Sequence, residues 1–214
     1  VYYIDNRTNI KCTCFQCQQK SHNSWGGYDP LILENPKLKT ITINNIEDQH
    51  LQNLDIRWSN TCNLSCTYCG HEASSQWALL KQIPTERLDY SATMSSILEL
   101  IESNRSTLKN LGLLGGEPLL QKENDLLLDV IDPNVHINLI TNLSVPLENN
   151  RIFQKLAQRN RVGWSISFDN IQQRFEYVRH GSDWNLLKKN LKTVQDLMTN
   201  EGHWGGIHAV YNIY

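Results

Sequence analysis

The stretch VGWSISFD, residues 162–169, decides the fold class because its two faces differ in polarity. Successive side chains of an extended strand point to opposite faces. One face of this segment is apolar and the other is polar, formed respectively by Trp164, Ile166 and Phe168 and by Ser165, Ser167 and Asp169. A doubly wound parallel sheet is normally apolar on both faces. The polar face therefore favours a curved sheet around a ligand-filled concavity, as in an open (β/α) barrel.

The segments around this strand alternate between strand-like and helix-like patterns. The predicted strands are 54–59, 111–116, 136–142, 162–169 and 205–214, and the predicted helices are 89–103, 124–131, 151–159 and 183–198. Strict alternation indicates a parallel sheet with right-handed crossovers. We therefore predict an α/β fold over residues 49–214, a partial (β/α) TIM-like barrel with five of six βα units present.

Residues 1–48 have a different character and form a separate segment. They are rich in turn formers, lack a helical period, and contain at most one strand, in ILENPKLKTITIN (32–44). We predict a small, irregular, cysteine-bearing segment. The chain begins with Val1 and stops at the fifth strand, so it is expected to be a fragment that is truncated at its C-terminus.

Composition excludes several classes of protein. Twenty Lys and Arg residues against 22 Asp and Glu give a formal charge of −2, so no basic field predicts a nucleic-acid partner. No apolar run reaches the roughly 18 residues of a membrane span, and the N-terminus lacks the pattern of a secretory signal. The six cysteines fall into two tight groups instead of a spread disulfide framework. This clustering indicates metal or iron–sulfur ligation in a reducing compartment, by default the cytoplasm.

The second cysteine group follows the first barrel strand. Cys62, Cys66 and Cys69 form a C-x3-C-x2-C pattern in the loop where barrel active sites assemble. Three thiolates can hold three irons of a [4Fe–4S] cluster and leave the fourth iron open to a small molecule. The alternative is a structural zinc site with His71 as the fourth ligand.

A glycine pair ends the next strand, in LLGGEP (113–118). Gly115 and Gly116 let a ligand approach the backbone closely, and Glu117 supplies an acceptor for an ammonium group. The alternative is an ordinary turn, in which the glycines serve only the backbone conformation. This strand end is expected at the same place as the cysteines, the edge of the barrel formed by the carboxyl ends of its strands, which we call the rim.

These motifs together resemble the radical S-adenosylmethionine (SAM) superfamily. The resemblance rests on C-x3-C-x2-C with an aromatic residue, Tyr68, before the last cysteine, and on GGEP after the next strand. It implies that SAM chelates the open iron of a [4Fe–4S] cluster held by Cys62, Cys66 and Cys69. It further implies that Tyr68 flanks the adenine and that Gly115, Gly116 and Glu117 receive the methionine ammonium group.

The fourth barrel strand adds to the resemblance. SFDN followed by EYVRHG is similar to the S-x-D-G…R segment of the branch with SPASM or twitch extensions. This implies that Ser167 and Asp169 lie near the SAM ribose and that Arg179 pairs with the SAM carboxylate. Asn170 replaces a glycine of the family, so we expect a left-handed residue there. Asn142 resembles the asparagine of the family's T-N-G segment, with Leu143 in place of the glycine.

The first cysteine group, Cys12, Cys14 and Cys17, resembles the segment that helps hold an auxiliary cluster in some twitch-type members. Three sulfurs need a further ligand. Zinc with nearby His22 remains open as an alternative, because the C-x-C-x2-C spacing does not specify the metal.

The resemblance implies an enzyme that cleaves SAM reductively and uses a 5′-deoxyadenosyl radical to abstract a hydrogen atom from a substrate. It also implies an electron donor of the flavodoxin or ferredoxin type. It allows a peptide or protein side chain as substrate, and equally a sugar, a nucleoside or a cofactor precursor, because members of the superfamily act on all of these. Alternation along the strands predicts polar side chains facing the lumen as substrate contacts, namely His136, Asn138, Ser165 and His208. The competing hypothesis is a non-catalytic zinc or iron–sulfur binding module.

Overall fold

A computed structural model describes residues 2–5, 8–12, 51–83 and 91–210. Its central feature is a seven-stranded sheet in the order β2-β1-β3-β4-β5-β6-β7. The strands are β1 Tyr2–Asp5, β2 Thr8–Cys12, β3 Asn53–Arg57, β4 Asn110–Leu114, β5 His136–Thr141, β6 Val162–Ser167 and β7 Trp204–His208. The five strands from β3 to β7 are parallel neighbours in chain order. The predicted partial barrel of five parallel strands is therefore confirmed.

Six α-helices lie in the described residues. They are α1 Ser75–Leu80, α2 Ser91–Ser103, α3 Lys122–Val130, α4 Arg151–Ala157, α5 Gln172–Val178 and α6 Trp184–Asn200, and a short 3-10 helix spans Pro118–Leu120. The four predicted helices correspond to α2, α3, α4 and α6. No helix in this part of the chain has both the length and the apolar composition needed to cross a membrane.

The N-terminal segment contains two strands that the sequence analysis did not predict. β1 and β2 pair in an antiparallel manner, and β1 adds in parallel to β3, so the hairpin extends the edge of the barrel sheet. The prediction that this segment is irregular was wrong for these residues, because sheet pairing stabilises short strands whose own pattern is weak. The predicted strand at 32–44 lies outside the described residues.

The hydrophobic core lies on the convex face of the sheet, beneath the helices. Alternate residues of β3 to β6 are almost fully buried there: Leu54, Ile56, Leu111, Leu113, Ile137, Leu139, Trp164 and Ile166. The intervening side chains on the concave face of β5 and β6, including Asn138 and Ser165, are more exposed. The predicted assignment of the two faces of residues 162–169 is therefore confirmed.

The left-handed residue expected at Asn170 is found elsewhere. Gln172, two residues later, has a φ of 52°, and Asn170 is not among the positive-φ residues. The Asn170 side chain instead accepts a hydrogen bond from the Ile171 backbone N–H at 3.1 Å. The turn after β6 thus reverses direction at the start of α5 and leaves Asn170 in an ordinary conformation.

Candidate active site

The cysteine loop, residues 58–74, is held in place by hydrogen bonds to the end of α5 and to α1. The Ser65 N–H donates to the His180 carbonyl and the Thr67 N–H to the Val178 carbonyl, both at 2.9 Å, which attaches the loop to the C-terminal end of α5. The Trp77 indole N–H on α1 donates to the Cys66 carbonyl at 2.8 Å. The three cysteines therefore have a fixed backbone frame.

The start of α1 fixes the other end of the same loop. The Ser74 hydroxyl caps α1 by accepting from the Gln76 N–H, and it donates to the Leu64 carbonyl. The Ser75 hydroxyl accepts from the Cys62 N–H at 3.1 Å. A short helix whose hydroxyl residues bond backward into the loop thus positions Cys62.

The glycine pair lets the loop after β4 pass close to the cysteine loop. Gly115 and Gly116 have φ values of 82° and 50°, which side chains disfavour. A Cβ at Gly116 would collide with the Thr61 carbonyl, and the Glu117 N–H donates to that same carbonyl at 2.8 Å. The glycines therefore place two loops in contact, and their positive φ values also give them the conformational role of the turn alternative.

The sulfurs line a small cavity of about 180 Å³ at the carboxyl ends of the strands. Eight of the sequence-predicted site residues line it: Cys62, Cys66, Cys69, Tyr68, Gly116, Asn142, Ser167 and Arg179. Gly115, Glu117 and Asp169 are not among the residues that line it. Ser74 and His208 also line the cavity, and only His208 was singled out from the sequence.

The chemistry of the three thiols suits metal ligation. Cys62, Cys66 and Cys69 are free cysteines, and Cys66 is 8% exposed. Burial raises the pKa of all three thiols, that of Cys66 to about 11. Such thiols become thiolates only when a cation compensates their desolvation, as the irons of a cluster do.

Hydrogen-bond donors already face two of the sulfurs. The Leu64 N–H and the Asn142 side-chain amide donate to Cys62 Sγ at 3.5 and 3.7 Å. Arg179 Nη1 lies 4.0 Å from Cys66 Sγ. Hydrogen bonds to sulfur are among the protein's means of tuning an iron–sulfur cluster. The donor set therefore fits a cluster held by three cysteines.

The zinc alternative needs His71 as its fourth ligand. His71 Nδ1 pairs with Glu72 at 3.1 Å, and the His71 side chain is 46% exposed. Within the described residues, no group of three or more His, Cys, Asp or Glu side chains is arranged to hold a metal ion. His71 thus has a contact with Glu72 in place of the zinc ligation that the alternative requires.

Glu117 has a structural position different from the one expected. Its side chain is fully buried, and its carboxylate accepts from the Leu119 N–H at 3.1 Å and from the Thr141 hydroxyl and the Asn142 N–H at 2.7 Å. Burial raises its pKa to about 7, although these hydrogen bonds oppose the rise. Glu117 therefore joins the loop after β4 to the end of β5.

Asp169 links three parts of the rim. It lies 2.8 Å from Arg179 Nε, accepts from the Tyr68 hydroxyl at 2.7 Å and accepts from the Val210 N–H at 2.7 Å. The Arg179 guanidinium also lies 5.6 Å from the Tyr68 ring centre. Arg179 and Asp169 side chains are 6% and 3% exposed, so the pair is shielded from water.

The four residues predicted to contact the substrate lie at different positions along the strands. Asn138 and Ser165 line a larger cavity of about 530 Å³ on the concave face, whereas His208 lines the cysteine cavity. His136 lines neither, because it is the first residue of β5 and packs beside Trp204, with ring centres 5.3 Å apart. Alternation predicts the face of a strand residue but not its height along the strand.

The first cysteine group contributes no described side chain. Cys12 is the last residue of β2, and Cys14 and Cys17 lie outside the described residues, as does His22.

Comparisons with known proteins agree with this geometry. The chain is 36% identical over 90 residues to 7-carboxy-7-deazaguanine synthase of Clostridium acetobutylicum. These 90 residues make up 36% of that protein and 41% of this chain. Its fold resembles Streptococcus suis SuiB bound to precursor peptide SuiA, with a TM-score of 0.56 and 20% identity, over 77% of this chain and 34% of that one. A second structure of Streptococcus suis SuiB gives the same TM-score at 19% identity, over 91% of this chain and 42% of that one.

The chain thus spans about a third of the length of the first two relatives. A family model described as the radical SAM superfamily matches residues 56–213, which include every rim residue described above. The chain belongs to the radical SAM superfamily.

Proposed function

We propose that the protein is a radical SAM enzyme whose cluster site is formed by Cys62, Cys66 and Cys69. These residues would hold a [4Fe–4S] cluster with one iron open to SAM, and the bound cluster would supply the electron for cleavage of SAM to methionine and a 5′-deoxyadenosyl radical, which takes a hydrogen atom from the substrate. The observation that carries this proposal is the single cavity in which all three thiols meet Asn142, Ser167 and Arg179.

The residues at the rim form two groups: some line the cavity, and others hold the lining residues in position. Tyr68 would flank the adenine, Gly116 would leave room for the methionine part, and Ser167 would face the ribose. Asn142 would fix Cys62 through its amide, which donates to the sulfur. Each of these four residues lines the cavity, which supports a direct contact.

Arg179 and Asp169 would act as a pair. Asp169 contacts Arg179 Nε, so the terminal nitrogens are the part of the guanidinium that the cavity presents to a carboxylate. We assign Asp169 to positioning Arg179 and Tyr68 instead of to the ribose. Glu117 would likewise act through the backbone it holds, since its carboxylate oxygens already accept three hydrogen bonds.

We propose a peptide or protein side chain as the substrate class. Two observations support it: the S-x-D…R spacing of the SPASM/twitch branch at Ser167 to Arg179, and the fold shared with SuiB, which was determined bound to a precursor peptide. Cys12, Cys14 and Cys17 would hold an auxiliary iron–sulfur cluster or zinc, and a flavodoxin or ferredoxin would supply electrons. Such clusters require a reducing compartment, which favours the cytoplasm.

The test compares two triple variants with the unchanged chain, each reconstituted anaerobically with iron and sulfide. Replacing Cys62, Cys66 and Cys69 with Ala should abolish dithionite-driven formation of 5′-deoxyadenosine from SAM. The matched control replaces Cys12, Cys14 and Cys17 with Ala, which should lower the bound metal but retain SAM cleavage.

Three results decide against the proposal, and a fourth limits it. Zinc without iron at Cys62, Cys66 and Cys69 would favour a non-catalytic zinc module, and bound iron without SAM cleavage would favour a non-catalytic iron–sulfur module. SAM cleavage that survives the Cys62/Cys66/Cys69 replacement would move the site elsewhere. Zinc bound at Cys12, Cys14 and Cys17 would change only the metal assigned to that site.

A further inference from the structure

The larger cavity on the concave face has a floor built from one residue of each barrel strand. The parallel register aligns Asp55 with Gly112, Gly112 with Asn138, Asn138 with Gly163, and Gly163 with Trp204. All five residues of this floor row line the cavity of about 530 Å³. Residues with side chains therefore alternate with glycines across the sheet.

The glycines are needed because the neighbouring side chains lie over them. A Cβ at Gly112 would collide with the Asp55 carboxylate. A Cβ at Gly163 would stand 2.6 Å from Asn138 Oδ1 and 2.7 Å from Trp204 Nε1. The floor is thus covered by a carboxylate, an amide and an indole, and its shape depends on having no side chain at two positions.

Asp55 is the one charged residue among those that line this cavity in the described part of the chain. Burial raises the pKa of Asp55, while the N-terminal amino group and Arg57, two residues further along β3, lower it. Among the described residues its carboxylate has no hydrogen bond or ion pair. A half-buried carboxylate is stabilised by a cation in direct contact with it, so the cavity is complementary to a cation.

The floor row lies well below the cysteine cavity. Ser167, at the rim, is four residues beyond Gly163 on β6, which corresponds to about 13 Å at roughly 3.3 Å per residue. Ile140 lines both cavities, so the two adjoin. A molecule that reaches from the rim to the floor is therefore elongated.

We infer that the floor row is a substrate subsite that binds the basic nitrogen of an elongated substrate, an alkyl-guanidinium or alkyl-ammonium group, with Asp55 as the charge partner. The Trp204 indole, 41% exposed, adds an aromatic surface beside the cation. This inference rests on the proposed function, because it takes the rim as the place of reaction, and it narrows the peptide proposal to a lysine-like or arginine-like side chain.

The test uses N-acetyl-L-arginine amide as the probe and N-acetyl-L-citrulline amide as its neutral isostere. Binding to the reconstituted chain is followed by anaerobic NMR of the tryptophan indole N–H signals, with Trp204 assigned from Trp204→Phe. The Trp204 signal should shift with the arginine probe and not with the citrulline probe. Asp55→Asn should weaken arginine binding about tenfold or more, since a charge-assisted contact is lost.

Two further variants make the result decisive. Asn138→Asp places a second carboxylate on the floor at an exposed position and should tighten arginine binding. Asp196→Asn, at an exposed carboxylate on α6 paired with Lys192, should leave binding unchanged. Equal binding by the Asp55→Asn variant, or equal shifts with both probes, would overturn the inference.

The failure of this subsite is distinguishable from failure of the proposed function. SAM cleavage without substrate uses the rim alone, so it is measured on the unchanged chain and on the control Asp196→Asn, which should form 5′-deoxyadenosine from SAM and dithionite at the same rate. Normal cleavage with no selective arginine binding would reject the subsite and leave the function standing. Absence of cleavage in the unchanged chain would reject the function itself.

Discussion

Leu143 has a backbone conformation that leucine disfavours, in the loop directly after β5. Its φ is 52° and its side chain is fully buried. The left-handed conformation costs an L-residue roughly 1–2 kcal/mol, and burial of the leucine side chain offsets this cost. The Asn190 side chain holds the loop by donating to the Leu143 carbonyl at 2.8 Å.

This conformation predicts an inverted order of stability for two substitutions. Leu143→Ala and Leu143→Gly both remove a buried side chain and should lower the free energy of unfolding by roughly 2–5 kcal/mol. Leu143→Gly should nevertheless be the more stable of the two by about 1 kcal/mol, because glycine tolerates the positive φ. Urea unfolding measures the difference. At Leu139, buried within β5, alanine should be the more stable replacement, and the same order at both sites would refute the argument.

Glu117 predicts a pH dependence of stability. Its folded pKa of about 7 is above the usual value of 4.5, so the folded state binds more protons than the unfolded state between these values. The free energy of unfolding should therefore fall as pH rises from about 4.5 to 7, by roughly 3 kcal/mol in total from this group. Glu117→Gln should flatten that slope in urea unfolding at a series of pH values.

The control for Glu117 is an exposed glutamate. Glu102, which pairs with Arg105 on the surface, has a side chain that is 72% exposed. Glu102→Gln should leave the slope between pH 4.5 and 7 unchanged. A slope that Glu117→Gln does not alter would mean that another group carries the pH dependence.

At the scale of elements, Asp169 joins the end of β6 to the C-terminal end of α5 and to the cysteine loop. Asp169→Asn would leave the Arg179 charge, 6% exposed, without its partner. Breaking a buried ion pair from one side typically costs about 3–5 kcal/mol. We therefore expect a loss of unfolding free energy of that order, with the loss reduced in the double variant Asp169→Asn/Arg179→Met.

A double-mutant cycle by urea unfolding measures this coupling. The comparison is Asp196→Asn, which breaks an exposed pair with Lys192 and should cost less than about 1 kcal/mol. Additive losses from the Asp169 and Arg179 substitutions would show that the pair does not link the two elements.

The elements that sequence could predict are those with long periodic patterns. The helix α6, 17 residues long, and the alternating strands β5 and β6 follow from side-chain periodicity, because one face of each is buried. The short helices α1 and α5 were missed because they have one and two buried residues, whereas α4, also seven residues long, has a buried apolar face of three. They depend on contacts with the cysteine loop, which are tertiary.

At the scale of the molecule, the motifs predicted which residues lie around one cavity. They did not predict which of these residues line the cavity and which contact other protein groups. Eight of the eleven barrel residues predicted for the site line one cavity, because parallel strands end at the same rim. Glu117 and Asp169 are predicted to lie beside SAM, and in the structure both carboxylates contact protein groups, Thr141 and Arg179 respectively. Sequence spacing does not reveal whether a carboxylate faces a cavity or the protein behind it.

The central claim is that Cys62, Cys66 and Cys69 hold a cluster with an iron open to SAM. The most direct measurement is the EPR spectrum of the dithionite-reduced cluster, with and without SAM, in a chain whose Cys12, Cys14 and Cys17 are replaced by Ala. We predict a [4Fe–4S] signal that changes shape on addition of SAM, because SAM binds the open iron. A reduced cluster whose spectrum SAM leaves unchanged, or a chain that takes up zinc and no iron, would contradict the account.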